Sequence, residues 1–288
     1  MKTGLLSRFI PVTKPGIVFG NLVSVTGGFL LAARGRPDFR LFFSVLAGTA
    51  LVIASGCVLN NCIDRALDRK MVRTQHRALA CGLISPSHAL IYASILGLAG
   101  VLILWFGTNL LCLGIVLAGL VVYAGPYSLF LKRRSVFGTW VGSLAGAAPP
   151  LAGYCAVSGR FDIGALILLV TFSLWQIPHA DSIALCHIND CTLAALPVPP
   201  VLRGIPSAKK QIVACIPAVT LVASLLTLTG YTGLRYLAAV LAAGIAWLVL
   251  ACVGYRADDS RAWARRMFIF SIIDIVVLNG MMAIDYTP

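Results

Sequence analysis

Long apolar runs separated by short polar breaks dominate the chain. Nine of them, at roughly 16–33, 41–62, 88–107, 109–130, 138–157, 163–186, 211–230, 235–255 and 267–285, approach the 17–25 residues that a membrane-spanning helix needs. The weakest is 138–157, whose "GAAPPLAG" places Pro149 and Pro150 where they should kink or break a helix. The pattern predicts an all-α integral membrane protein of nine transmembrane helices, folded as one polytopic domain over residues 1–288. No internal repeat of fixed period stands out. The opening "MKTGLLSRFIPVTKPG" is basic and broken by prolines, with no small-residue cleavage site, so no cleavable signal peptide is expected.

Composition sharpens this reading. The chain is 59% hydrophobic and only 11% charged, where soluble domains carry about 25% charged residues. A net charge of +13 would also suit a nucleic-acid binder, but the cations fall in short breaks between apolar runs. Helix orientation accounts for them, and no nucleic-acid partner is expected. If the N-terminus is cytoplasmic, 18 of the 23 Lys and Arg residues, from Lys2 to Arg266, lie on the cytoplasmic side. That asymmetry predicts N-terminus in and C-terminus out. The discordant piece is the first outside break, with Arg34, Arg36 and Arg40. The long breaks, 63–87 and 187–210, both fall on the inside, where function usually concentrates. The nine cysteines form no CxxC and read as buried free thiols.

One break stands out chemically. "NNCIDRALDRKMVRTQHRAL", residues 60–79, carries Asn60, Asp64 and Asp68 at intervals of four. On a helix these share one face, about 6 Å apart along the axis. Two like charges so placed repel unless a cation lies between them, and hard oxygen ligands suit Mg²⁺. Arg65, Arg69, Arg73 and Arg77 form a second series four apart, suited to phosphate oxygens. An ordinary loop helix laced by ion pairs would look similar. The position of Asn60 and Asp64 at the end of an apolar run favours a functional role.

This stretch resembles the first aspartate-rich motif, N-x-x-x-D-x-x-x-D, of the UbiA superfamily of membrane prenyltransferases. "VTKPGIVFGNLVSVTGGFLLA", "SGCVLNNCIDRALDRKMVRT", "YSLFLKRRSVFGTWVGSLAGAAPPLAGYCAVSG" and "FSLWQIPHADSIALCHINDCTLAALPVPPV" are similar, in that order, to the branch of the superfamily that farnesylates haem. The resemblance runs from about Val12 to Arg266. It implies nine helices around a central cavity and two polar motifs on cytoplasmic loops. It implies a bacterial inner-membrane enzyme that uses Mg²⁺ to transfer farnesyl from farnesyl diphosphate to haem B, with water added, giving haem O. Asp64, Asp68 and Asp190 are then the catalytic acids, with Asn60 joining them as metal ligands. Asn60, Arg65, Arg69, Arg73, Arg77, Lys132, Arg133 and His179 are then substrate-binding. Membrane lipid is an expected partner, and the resemblance leaves room for contact with haem-copper oxidase assembly or haem A synthase.

Several positions carry competing readings. Lys132 and Arg133, in "YSLFLKRRS", match a family stretch but also suit plain positive-inside anchoring. Asp190 matches the acid of the second motif, yet His187 stands where Arg is usual and Cys191 where an aromatic usually follows. His179 could hydrogen-bond or ligate haem, or be a satisfied core histidine. Trp175, Tyr123 and Tyr127 could offer π-faces to a cation, or simply pack. Asp181 and Asp274 interrupt apolar runs and stay unassigned, although acids within a span are functional candidates. Ala66 and Val72 stand where acids are usual, and Cys62 where Tyr is usual. Two rival functions remain: a sibling prenyltransferase acting on an aromatic acceptor such as 4-hydroxybenzoate, and a degenerate or transport-type membrane protein.

Overall fold

The computed structural model describes residues 5–256 and 258–287, so Lys2 lies outside the described residues. The chain runs α1 (Leu5–Val12), α2 (Pro15–Ala33), α3 (Phe39–Asp68), α4 (Pro86–Gly107) and α5 (Leu110–Val122). A π-helical segment, Tyr123–Leu131, and the short α6 (Lys132–Arg134) continue α5. Then follow α7 (Gly138–Ser158), α8 (Ile163–Cys186), α9 (Ile188–Leu193), α10 (Pro199–Leu202), α11 (Ile205–Leu228), α12 (Leu234–Val253) and α13 (Ser260–Ile284). Among the described residues the only bridge of strand type is the isolated pair Thr232 and Tyr286.

Among the described residues eight helices are long and apolar enough to cross a membrane: α2, α3, α4, the unit Leu110–Arg134, α8, α11, α12 and α13. Their outer faces carry exposed large apolar side chains, such as Ile91, Ile95, Leu98 and Leu102 along α4. Faces like these suit lipid rather than water. The region that the sequence marked as kinked or broken, 138–157, is one continuous helix, α7, with Pro149 and Pro150 inside it. Packing compensates for the backbone hydrogen bonds that the two prolines remove. Gly28 of α2 sits against the Pro150 carbonyl, and Gly153 of α7 against the Val25 carbonyl. A Cβ at either glycine would overlap backbone, so α2 and α7 meet backbone to backbone.

The helices close a ring. α2 packs on α3, α3 on α4, α4 on α5, α5 on α7, α7 on α8, α8 on α11, α11 on α12 and α12 on α13, which returns to α2. α2–α7 and α8–α13 contacts cross its middle. Short polar side chains start the helices. Asp38 accepts from the N–H groups of Arg40 and Leu41, Asp162 from Ala165, and Asp259 from Arg261 and Ala262. Each satisfies donors that a helix start leaves open.

The two ends of the bundle are chemically distinct. One end gathers residues 12–14, 64–85, 128–138 and 187–209, joined by contacts such as Lys132 to Asp64, Asp190 to Val72, and Arg203 over the Phe137 ring at 5.8 Å. The other gathers residues 33–38, 108–109, 155–162, 230–236 and 285–287. There Asn109 donates to Cys155 O and Ala156 O, both at 2.9 Å. This grouping matches the two sides that the charge pattern drew.

Candidate active site at the charged end of the bundle

The polar ladder lies on the inner face of α3. Asn60, Asp64 and Asp68 are 3%, 1% and 2% exposed. The sequence placed the end of this span at residue 62; the helix instead continues to Asp68, so the ladder is helical throughout. Asp64 is gripped from three sides. Lys132 makes a short ion pair with it, Arg133 approaches at 3.3 Å, and the Asn60 amide donates to it at 2.8 Å. Arg133 also donates to the Ile63 carbonyl. Asn60 donates further to Ser128 Oγ at 3.1 Å and accepts from Lys14 Nζ at 2.6 Å. Asp68 binds Arg77, whose Nη1 is 3.0 Å from both carboxylate oxygens. Three cations thus pair with two buried carboxylates and a fourth, Lys14, with the neighbouring Asn60, leaving a surplus of positive charge.

In the sequence Lys14 counts only as an orientation charge. It holds a left-handed backbone conformation, φ 52°, at the break between α1 and α2. Such strain in a non-glycine residue tends to mark functional positions. Burial, with Arg77 and Lys132 close by, pushes its pKa down to about 8; Cys57 and Asp64 oppose the shift. The only sequence signal was a lysine beside "PG" at the head of the first apolar run.

The arginine series does not act as one face. α3 stops at Asp68, so its period of four has no helix to run on. Arg65 is exposed. Arg69 donates its Nε to the Ala80 carbonyl at 2.8 Å, bracing the following loop. Arg73 lies on the far side of that loop, beside His187 and Arg261. Only Arg77 joins the acids. Asp190 accepts from the backbone N–H groups of Val72 at 3.0 Å and Arg73 at 3.3 Å. It fastens the 187–194 turn to the loop after α3. Burial is the main cause holding the Cys191 thiol up and the nearby His187 ring down from their usual pKa values.

Behind the ladder a cavity of about 240 Å³ opens between α2, α3, α5, α7 and α8. Its walls are mainly apolar, with Val52, Val116, Leu120 and Pro149, and Tyr123 and Tyr127 line its charged end. The tyrosine rings stack at 5.9 Å with a 27° tilt. They come from the π-helical turn, where Pro126 cannot donate to an α-helical ladder and the backbone widens. The apolar run 109–130 gives no sign of this widening beyond Pro126 itself.

His179 lies apart from the ladder. Its ring stacks on Trp175 at 4.6 Å and tilts against Phe268 at 5.1 Å. Nδ1 is 2.8 Å from Ser271 Oγ, and that hydroxyl spends its proton on Phe268 O. Nδ1 therefore donates, leaving Nε2 unprotonated. Asp181 accepts from Gln211 Nε2 at 2.8 Å, tying α8 to α11. Asp274 is buried on α13.

Among the described residues no three His, Cys, Asp or Glu side chains cluster as metal ligands. The two buried carboxylates and the Asn60 oxygen nonetheless fit a Mg²⁺ ion, which takes hard oxygens, usually through one or two carboxylates, and fills the rest with water and phosphate oxygens.

Residues 21–273 match the model of the UbiA prenyltransferase family. The chain is 51% identical over 282 residues to the Protoheme IX farnesyltransferase of Cronobacter sakazakii, covering 98% of this chain and 96% of that one. It is 52% identical over 281 residues to that of Photorhabdus laumondii, with the same coverage. Among solved structures, the fold is similar to a UbiA homolog from Archaeoglobus fulgidus bound to GPP and Mg²⁺. The TM-score is 0.74 at 16% identity, covering 96% of this chain and 100% of that one. An apo UbiA homolog from Aeropyrum pernix K1 gives 0.70 at 18% identity, covering 92% and 96%. With a family match over most of its length and relatives at half identity end to end, this chain belongs to the UbiA prenyltransferase family.

Proposed function

We propose that this chain transfers the farnesyl group of farnesyl diphosphate to a vinyl group of haem B, with addition of water, giving haem O and diphosphate. The observation that carries this reading is the convergence of Arg77, Lys132 and Arg133 on Asp64 and Asp68, with Lys14 on the adjoining Asn60, at the mouth of an apolar cavity. Half identity, end to end, to proteins bearing the farnesyltransferase name supports the choice of substrates.

The chemistry follows from the residues. The cations that neutralise the acids here are the donors a diphosphate needs as it leaves. Asn60, Asp64 and Asp68 would hold Mg²⁺, which supplies charge to the departing phosphate oxygens. Asp190, with both oxygens committed to loop N–H groups, holds the loop that carries Arg77. Lys132 and Arg133 reach the site from the turn after the π-helical segment. The allylic cation left when the C–O bond breaks meets the stacked faces of Tyr123 and Tyr127. The apolar cavity holds the isoprenoid chain and keeps water from it. The vinyl group attacks the cation, and water then captures the charge left on the porphyrin side, losing one proton. His179, with Nε2 unprotonated, would offer haem iron a lone pair. Arg65 and Arg69 have no part in this scheme.

The same reading takes α7 as a ninth crossing in one domain. It starts beside Leu131 and Lys132 at the charged end and finishes where Asn109 caps it at the other. Its 21 residues span about 31 Å. With nine crossings the charged end faces the cytoplasm and the C-terminus the outside.

Expression in membranes that lack haem O, followed by haem extraction and mass measurement, tests the reading. A haem heavier than haem B by one farnesyl and one hydroxyl group is expected. An unchanged haem pool, with the protein present in the membrane, refutes it.

A further inference from the structure

A second cavity, of about 390 Å³, lies between α8, α13 and the loop after α3. Its rim is basic: Arg73, Arg261 and Arg265, with His187 beside them. Its apolar lining includes Ile183 and Phe268. No carboxylate forms an ion pair with any of the three guanidinium groups among the described residues. This contrasts with Arg77, Lys132 and Arg133, which are all paired. Burial, with Arg73 and Arg261 nearby, holds His187 below its usual pKa, against the pull of Asp190.

The cavity is aligned with the prenyl cavity. Gln176 and Ala180 of α8 line the prenyl cavity, while Ile183 and His187 line the basic one. Gln176, Ala180 and Ile183 are i, i+4 and i+7, which fall within about 60° on the helix, and His187 follows as its C-cap. One stripe of α8 therefore runs from the prenyl cavity to the basic one. Phe268, in the wall of the basic cavity, also lies against His179.

We propose that this cavity is a second substrate site, in which Arg73, Arg261 and Arg265 hold the carboxylate-bearing edge of the tetrapyrrole acceptor against the stripe of α8 that leads to the prenyl cavity. The inference rests on the reading above and deepens it. Three unpaired guanidinium groups over an apolar wall match an amphiphile with an acidic edge. An anionic phospholipid headgroup shares that chemistry, so the test separates the two.

The full-length protein is placed in nanodiscs of neutral lipid, and ferric protohaem is titrated by absorbance and by quenching of tryptophan fluorescence. The same titration is run with protohaem dimethyl ester, which lacks the carboxylates. The free acid is expected to bind at least about tenfold more tightly than the ester, since each charge-assisted contact contributes roughly that factor. Arg261→Gln combined with Arg265→Gln should abolish that difference, raise the apparent KM for haem, and leave farnesyl diphosphate binding unchanged. Equal binding of acid and ester by the unaltered protein overturns the proposal without any variant. Retained preference for the acid in the double variant also overturns it. So does an unchanged haem titration accompanied by loss of co-purifying phosphatidylglycerol, which would make this a lipid site. Failure of the unaltered protein to form haem O strikes the functional reading instead, a result distinct from any of these.

Discussion

Asp64→Asn separates structure from chemistry at one position. The asparagine keeps size and the hydrogen bond from Asn60, but it removes the counter-charge of Lys132 and Arg133. Asp64 is 1% exposed, and removing one partner of a buried pair costs about 3–5 kcal/mol. The side chains of Lys132 and Arg133 are 26% and 34% exposed, so water screens part of that loss. A destabilisation of about 2–3 kcal/mol is expected. Lys132→Met on the same background should restore part of it, because the stranded cation is then gone, with a coupling of about 0.5–3 kcal/mol between the sites. Turnover should behave differently. Loss of charge stabilisation at the departing diphosphate should lower kcat by roughly 10²–10³, and the double variant should not recover it. Thermal melts of the detergent-solubilised protein and haem O formation at limiting Mg²⁺ read the two quantities. Near-normal haem O synthesis by Asp64→Asn would refute the role given to the ladder. Recovery of turnover together with stability in the double variant would show that the position is only structural.

Burial lowers the pKa of Lys14 to about 8. Its charged form is complete below that value and lost above it, so kcat/KM for farnesyl diphosphate should fall as pH rises through 8, and Lys14→Arg should remove that limb of the profile. Asp190→Ala frees two backbone donors, each worth about 1.5–3 kcal/mol to a charged acceptor, and should speed hydrogen exchange and proteolysis around residues 70–76 while the long helices stay protected. Cys191→Tyr brings the chain closer to its family pattern but forces a large ring into the packed cluster of Met71, Ala184, Ala194 and Leu196, so a stability loss of about 1–3 kcal/mol is expected rather than a gain in turnover, read by melting temperature and single-turnover rate. In a cysteine-free variant, single cysteines at the exposed positions Gln75 and Arg203 should resist an impermeant thiol reagent added from outside intact cells; efficient labelling would invert the orientation.

The sequence revealed those features whose physics is local. Hydropathy runs located the long helices, because a bilayer demands unbroken apolar length. The interval of four placed Asn60, Asp64 and Asp68 on one face, and the structure buries all three there. The same interval misled for Arg65, Arg69, Arg73 and Arg77, because a period has meaning only while the helix lasts, and α3 ends at Asp68. The charges that ended the apolar run at residue 62 in the sequence are the ones that belong inside, neutralised by partners from elsewhere in the chain. Lys132 is 68 residues from Asp64, and Lys14 is 46 from Asn60. No window of sequence spans such distances. Pro149 and Pro150 argued against a continuous helix, and only the approach of α2 through Gly28 accounts for its persistence. The π-helical turn likewise depends on tertiary context, though "GP" at residues 125–126 marked where the α-ladder had to yield. In each case the misread residue is one whose local preference is overruled at the charged end of the bundle or in the wall of the prenyl cavity. That is where a bundle otherwise built for lipid must carry polar chemistry, and where local rules are expected to fail.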